Sequence, residues 1–284
     1  TMASDDVGGD HAGGNSVVGG GDDVGGDDAG GNDVGGDDAA AGVERAGLEV
    51  RGALETVRAR VAECAHGRAV RLVAVSKTKP VALLRAAYDA GQRDFGENYV
   101  QELIEKAALM PDDTRWRFIG TLQSNKARAL VHAVPNLDAV ESVGSSKLAD
   151  VLDRAVASSA QEPRGARPLT VFVQVNTSGE ESKSGCTPSE AAKIVRHIVE
   201  HCKNLRFAGL MTIGALDYSP NPICLERLVR LRDEVARAIG SVSPTEIELS
   251  MGMSGDFEQA IALGSTSVRV GSTIFGARNY QSSK

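Results

Sequence analysis

The chain has 284 residues, 24% of them charged and 4% aromatic, with a formal net charge of −7. No stretch approaches the roughly 18 apolar residues of a membrane span, and the four cysteines show no C-x-x-C spacing. The N-terminus lacks the basic start and apolar core of a signal peptide, and its acidity argues against a transit peptide, so a reduced cytoplasmic setting is expected, with an organelle left open.

Residues 1–42 form the first segment. They contain Gly, Asp, Ala, Val and Asn in a loose five-residue repeat (Asp22-Asp-Val-Gly-Gly, Asp27-Asp-Ala-Gly-Gly, Asn32-Asp-Val-Gly-Gly), with no aromatic residue, Leu, Ile, Lys or Arg. Such a segment cannot bury enough apolar surface to offset its ordering entropy and reads as a disordered, solvating tail. Calcium-binding Gly/Asp repeats run in a nine-residue register, which this one lacks. Ten of the 38 acidic residues lie here, leaving 31 basic against 28 acidic residues, a formal charge of +3, on residues 43–284. That mild positive balance suits a small anionic ligand and is too weak for nucleic acid. The first residue is Thr rather than Met, as in a fragment or processed product.

Residues 43–284 suit one (β/α)8 barrel, a fold of typically about 250 residues. A helix is expected over about 43–65. Strand-like runs follow at Leu72–Ser76, Asp94–Gly96, Trp116–Gly120, Ala139–Ser142, Thr170–Asn176, Phe207–Thr212, Glu246–Ser250 and Ser267–Val270. Amphipathic stretches alternate with them, at Val81–Ala90, Tyr99–Leu109, Lys126–Val131, Ser145–Ala157, Pro188–Cys202 and Leu225–Ile239. Eight such units argue for a closed parallel barrel of TIM type. An open doubly wound sheet is weakened because no G-x-G-x-x-G follows the first strand.

In a barrel, functional groups collect at the C-terminal ends of the strands. Those ends carry Lys77, Glu97 and Asn98, Gly120, Glu141 and Ser142, Asn176, Met211 and Thr212, Ser250 to Ser254, and Arg269 to Thr273. A strand-end lysine facing two small-residue turns after strands 7 and 8 is what a pyridoxal 5′-phosphate (PLP) site needs. The amine takes the aldehyde as a Schiff base, and the turns hold the phosphate by N–H groups and hydroxyls. Lys79, beside Pro80, is the rival amine and reads better as loop charge. Ser254 also reads as a helix N-cap, and Gly271 permits close approach to an anion. Arg269, alternating with apolar neighbours, must meet an acceptor: a carboxylate such as Glu248, or the ring nitrogen of PLP. His197 and His201 stand at metal-ligand spacing, but no H-E-x-x-H motif or nearby third ligand accompanies them, so no metal is expected. Asn125 and Lys126 read as helix capping or a second anion contact.

Five ordered motifs carry a family pattern: Ala74-Val-Ser-Lys-Thr-Lys-Pro80, Phe95-Gly-Glu-Asn-Tyr-Val-Gln-Glu102, Phe118-Ile-Gly-Thr-Leu-Gln-Ser-Asn-Lys126, Ser250-Met-Gly-Met-Ser254 and Val268-Arg-Val-Gly-Ser-Thr-Ile-Phe-Gly-Ala-Arg278. From about residue 45 to 280 the chain resembles the PLP homeostasis protein family, also called PLP-binding protein or proline synthase co-transcribed homologue. The resemblance implies a barrel like the N-terminal domain of alanine racemase (fold type III), with PLP on Lys77. It implies Asn98 and Met211 near the cofactor, Arg269 at the ring nitrogen, and Ser254, Gly271, Ser272 and Thr273 at the phosphate. The family often has histidine before Phe-Ile-Gly, where this chain has Arg117.

The resemblance implies a protein that buffers and delivers PLP without an established reaction; a monomer serving PLP-requiring apo-enzymes, with no catalytic residue, is expected. The alternative is a PLP-dependent, racemase-like enzyme. Such racemases add a β domain that supplies a catalytic tyrosine, whereas here Tyr280 is the one tyrosine after Arg269. Abstraction on both faces of a substrate needs two bases, and the sequence offers only Lys77.

Overall fold

Eight parallel strands close on themselves in a computed structural model of the chain. The structure describes residues 35–159, 167–214 and 222–277; most of the Gly/Asp-rich repeat, together with Tyr280, lies outside them. The strands are β1 (Arg71–Val75), β2 (Asp94–Glu97), β3 (Arg115–Phe118), β4 (Leu137–Val143), β5 (Leu169–Gln174), β6 (Leu205–Met211), β7 (Glu248–Ser250) and β8 (Ser267–Val270). Each pairs with its neighbour in sequence. β8 returns to β1, with Leu72 beside Val268 and Val73 beside Arg269. This is the expected barrel.

Helices α2 (Val81–Asp89), α3 (Val100–Ala107), α4 (Ala127–Ala133), α5 (Ser146–Ser158), α6 (Pro188–His201), α7 (Ile223–Ile239), α8 (Phe257–Ala262) and α9 (Ser272–Phe275) follow β1 to β8 in turn. Local signals set their limits. Pro188 opens α6, where its missing N–H costs nothing, and the Glu190 carboxylate accepts the Thr187 N–H at 2.9 Å. α7 stops at Gly240, whose φ of +73° suits glycine.

α1 (Gly35–Ala65) precedes the barrel and begins within the segment read as tail. It buries Val50, Leu54, Val57, Val61 and Ala65, one face at helical spacing, against α2, α8 and α9. It thus bridges the first and last units. Complete burial of Leu54 contributes on the order of 1.5–3 kcal/mol. Arg58 donates to Ala90 O at 2.6 Å and Arg60 pairs with Glu258 at 2.8 Å, tying both edges of the helix down.

The main core lies between strands and helices, so a strand such as β5 is buried at every residue. A separate small cluster, Ala139, Phe172, Ala208 and Met211, shares the barrel interior with charged side chains. Those charges lead to the site.

Candidate functional site

Lys77 lies two residues past the end of β1, in a tight turn closed by the Lys79 N–H on Ser76 O at 3.1 Å. Thr78 takes a left-handed φ of +61° there, unusual for a β-branched residue. The turn is over-determined by a buried cation from α3. The Lys106 ammonium donates to Ser76 O at 2.6 Å, Glu97 Oε1 at 2.7 Å and Glu102 Oε1 at 2.6 Å. Glu102 in turn accepts the Thr78 N–H at 2.5 Å, and Ser76 Oγ donates to Glu97 at 2.6 Å. Burial raises the Glu97 pKa above the usual carboxylate range, and Lys106 pulls it back only in part. This clamp fixes where Lys77 starts. Lys79 points its amine at Ala277 O, 2.7 Å away, as loop charge should.

The two turns meet beside that strand end. Ser254 Oγ accepts the Gly271 N–H at 3.2 Å. A Cβ on Gly271 would stand 3.2 Å from Val75 O, tighter than such contacts normally run, so glycine lets the β8–α9 turn press on β1. Gly271 O accepts the N–H groups of Ile274 and Phe275, leaving those of Ser272 and Thr273 ahead of the first helical bonds. Ser254 does not cap α8: Asp256 occupies the cap position and takes the Met253 N–H at 2.6 Å. The SMGMS turn needs two residues more than simple capping allows before its helix starts.

Arg269 is buried in the barrel interior. Its Nη1 donates to Ser250 Oγ at 2.7 Å and its Nη2 to Thr212 O at 2.8 Å. Glu248 is not its partner; that carboxylate, at the start of β7, pairs at 2.6 Å with Arg71 at the start of β1, whereas Arg269 lies further along the barrel near the end of β8. Instead Ser250 Oγ donates to Glu141 Oε2 at 2.5 Å, and Glu141 Oε1 accepts Arg117 Nε at 2.5 Å. Arg117 Nη1 reaches Asp138 at 2.6 Å, and its guanidinium lies 5.3 Å from the Phe172 ring centre. One carboxylate therefore serves two buried arginines. Burial alone would raise the Glu141 pKa; Arg117, Arg269 and the Ser250 hydroxyl overcome it and hold the pKa below the usual range. Burial lowers the Arg269 pKa, with Glu141 and Asp256 opposing. A guanidinium still keeps its proton near neutral pH.

Met211 is fully buried beside Phe172 in the inner cluster, one residue before the Thr212 carbonyl that holds Arg269. Asn98 follows β2, and its backbone lies so close to Gly120 that a Cβ there would stand 2.1 Å from Asn98 O. Asn98 Oδ1 is buried with no hydrogen-bond partner among the described residues. Asn176 is a loop former: its amide bonds Glu180 O at 2.8 Å and its oxygen takes the Gly179 N–H at 3.0 Å. Asn125 and Lys126 sit exposed in a short 3-10 turn without a side-chain cap.

The structure thus joins Ser254, Gly271, Ser272 and Thr273 at the end of β1, and links Met211 to Arg269 through Thr212. An amine, exposed N–H groups at a glycine turn, an orphaned amide oxygen and a buried guanidinium fit a phosphorylated aldehyde on a heteroaromatic ring. Sequence reasoning missed Lys106 and Glu102 as parts of this arrangement, and although it placed Ser250 at a strand end and noted Arg117, it gave neither a contact with Glu141. The only early signal was the Glu102–Lys106 spacing of four, which marks a helix pair without marking its burial.

Residues 52–279 match the family model described as alanine racemase, N-terminal domain. The pyridoxal phosphate homeostasis protein of Mus musculus is 51% identical over 219 residues, 74% of this chain and 77% of its own. That of Schizosaccharomyces pombe is 44% identical over 235 residues, 81% of this chain and 93% of its own. Among solved structures, PipY of Synechococcus elongatus with PLP bound aligns with a TM-score of 0.68 and 33% identity, over 80% of this chain and 100% of that one. Alanine racemase from Corynebacterium glutamicum shares the fold at a TM-score of 0.60 and 14% identity, over 83% of this chain and 62% of that one.

Proposed function

The chain belongs to the alanine racemase N-terminal domain family, and we propose that it is a PLP-binding protein that buffers the cofactor and delivers it to PLP-requiring apo-enzymes, as a monomer. One observation carries the reading: Gly271 is bonded to Ser254 and packed against the strand end that bears Lys77. The names of the relatives support it, as does the PLP bound to PipY.

In this reading Lys77 is the amine that takes the aldehyde. Ser254, Gly271, Ser272 and Thr273 hold the phosphate through hydroxyls and backbone N–H groups. Arg269 faces the ring nitrogen, and Met211 and Asn98 line the ring. Bound PLP supplies an aldehyde for covalent capture and a ring that withdraws electrons from an attached amine. Arg269 offers that ring a hydrogen bond but no proton, which limits the withdrawal. Neither buried carboxylate is free to act as a base: Glu97 is held by Lys106 and Ser76, and Glu141 by Arg117 and Ser250. The chain therefore holds the cofactor without driving amino-acid turnover.

The test is α-proton exchange of a panel of L-amino acids in deuterated water by the PLP-loaded protein. Negligible exchange is expected. Exchange at about 1 s⁻¹ or faster, an enzyme-like rate, would replace the carrier reading with a racemase-like one.

A further inference from the structure

His197 stands on α6 in the last turns before its C-terminus, and His201 is one turn on. The fold brings two further donors to them. Asp150, 47 residues earlier on α5, places Oδ1 2.6 Å from His197 Nε2. Cys202, immediately after α6, places Sγ 4.0 Å from the same oxygen. The three donor atoms lie within 4.8 Å of one another, the one place among the described residues where three such groups converge. We propose that Asp150, His197 and Cys202 bind a divalent ion of the zinc class on the outside of the barrel, remote from the PLP site.

The donor chemistry selects the metal. One imidazole, one carboxylate and one sulfur suit a borderline-soft tetrahedral ion, and exclude magnesium or calcium, which take oxygen ligands. Zinc bonds of about 2.0–2.3 Å set neighbouring ligand atoms roughly 3.3–3.7 Å apart. The present separations of 2.6 and 4.0 Å straddle that range. Side-chain shifts of about 1 Å open the His–Asp hydrogen bond and draw the sulfur in. Asp150 and His197 are partly exposed, which gives the ion a path from solvent. The ring of His201 lies 5.2 Å from that of His197; the fourth position is left to water. The end of a 14-residue helix adds unpaired carbonyls and the negative end of its dipole.

Burial, with Asp153 and Asp150 nearby, holds the Cys202 thiol up at about 11. Metal-free, the thiol is protonated and a poor nucleophile. On binding, the S–H bond breaks, its electron pair goes to the ion and the proton goes to solvent. An aspartate, a thiolate and a dication then sum to zero charge.

The test is cobalt(II) chloride added to the PLP-loaded, reduced protein, read as a difference spectrum. A near-ultraviolet thiolate-to-cobalt charge-transfer band with visible ligand-field bands is expected, abolished by one equivalent of zinc chloride. Cys202→Ser should remove the charge-transfer band, and His197→Gln, at a partly exposed position, should weaken zinc binding about tenfold or more. No charge-transfer band with the parent protein, or an intact band in Cys202→Ser, overturns the proposal and leaves a simple ion pair. The outcome is independent of the PLP reading, because Lys77→Ala should keep the cobalt bands.

Discussion

Glu141→Gln isolates the interior charge network. The side chain keeps its size but loses its charge, while Arg117 and Arg269 stay buried. Arg117 retains Asp138, a half-exposed partner at 2.6 Å. Arg269 retains only neutral contacts, Ser250 Oγ and Thr212 O, with Asp256 acting at longer range. Breaking a buried pair by removing one partner costs about 3–5 kcal/mol, since an uncompensated charge remains. At roughly 2–4 °C per kcal/mol for a domain of this size, the melting temperature should fall by roughly 6–20 °C. Replacing the charge more completely should cost less. Glu141→Gln with Arg117→Met removes one cation as well, and is expected to recover part of the loss. Urea unfolding of the single and double variants measures both. A loss under about 1 kcal/mol for Glu141→Gln, or a double variant worse than the sum of its parts, would refute the view that Glu141 balances two arginines.

Three further outcomes follow from the same contacts. The folded pKa of Glu141 is lowered, so its stabilisation is present above its ordinary value of 4.5 and lost as pH falls through the folded value. Glu97, with a raised pKa, acts with the opposite sign and cannot supply that loss. Unfolding free energies measured from about pH 5 to pH 3 should therefore fall more steeply in the parent than in Glu141→Gln; parallel slopes would contradict this. Lys106→Met should destabilise by about 3 kcal/mol, by leaving Glu97 buried without its cation, and should also speed PLP dissociation by freeing the Lys77 turn. Unchanged dissociation would show that the clamp does not position Lys77. Ser254→Ala and Ser272→Ala should each weaken PLP retention by about 1.5–3 kcal/mol, a hydrogen bond to a charged group. Dissociation constants unchanged in both would place the phosphate elsewhere.

The barrel was legible because strand-like runs and helical periods alternate eight times, and that pattern has few closed solutions. Strand limits shifted by a residue or two: β1 ends at Val75 rather than Ser76, and β7 begins at Glu248 rather than Glu246. The positions of Lys77, Ser254, Arg269 and Gly271 near strand ends, where barrel sites fall, were legible too. The interior network was not. Arg117 and Glu141 are 24 residues apart, Glu141 and Ser250 are 109, and no local pattern records such contacts. For Arg117, only the barrel shows that the side chain faces inward onto Phe172 and Glu141. Lys106 misleads for a related reason: a lysine on an amphipathic helix reads as surface, yet its ammonium is buried with three acceptors.

The most direct test concerns Lys77 itself. Purified protein loaded with PLP is scanned in the near-visible, reduced with borohydride, digested and mapped. A near-visible band that disappears on reduction, with the label on the peptide carrying Lys77 and no band in Lys77→Ala, is the expected result. Label fixed on Lys79, Lys106 or any other lysine, or a band that survives in Lys77→Ala, would contradict the assignment of this strand end as the cofactor's anchor.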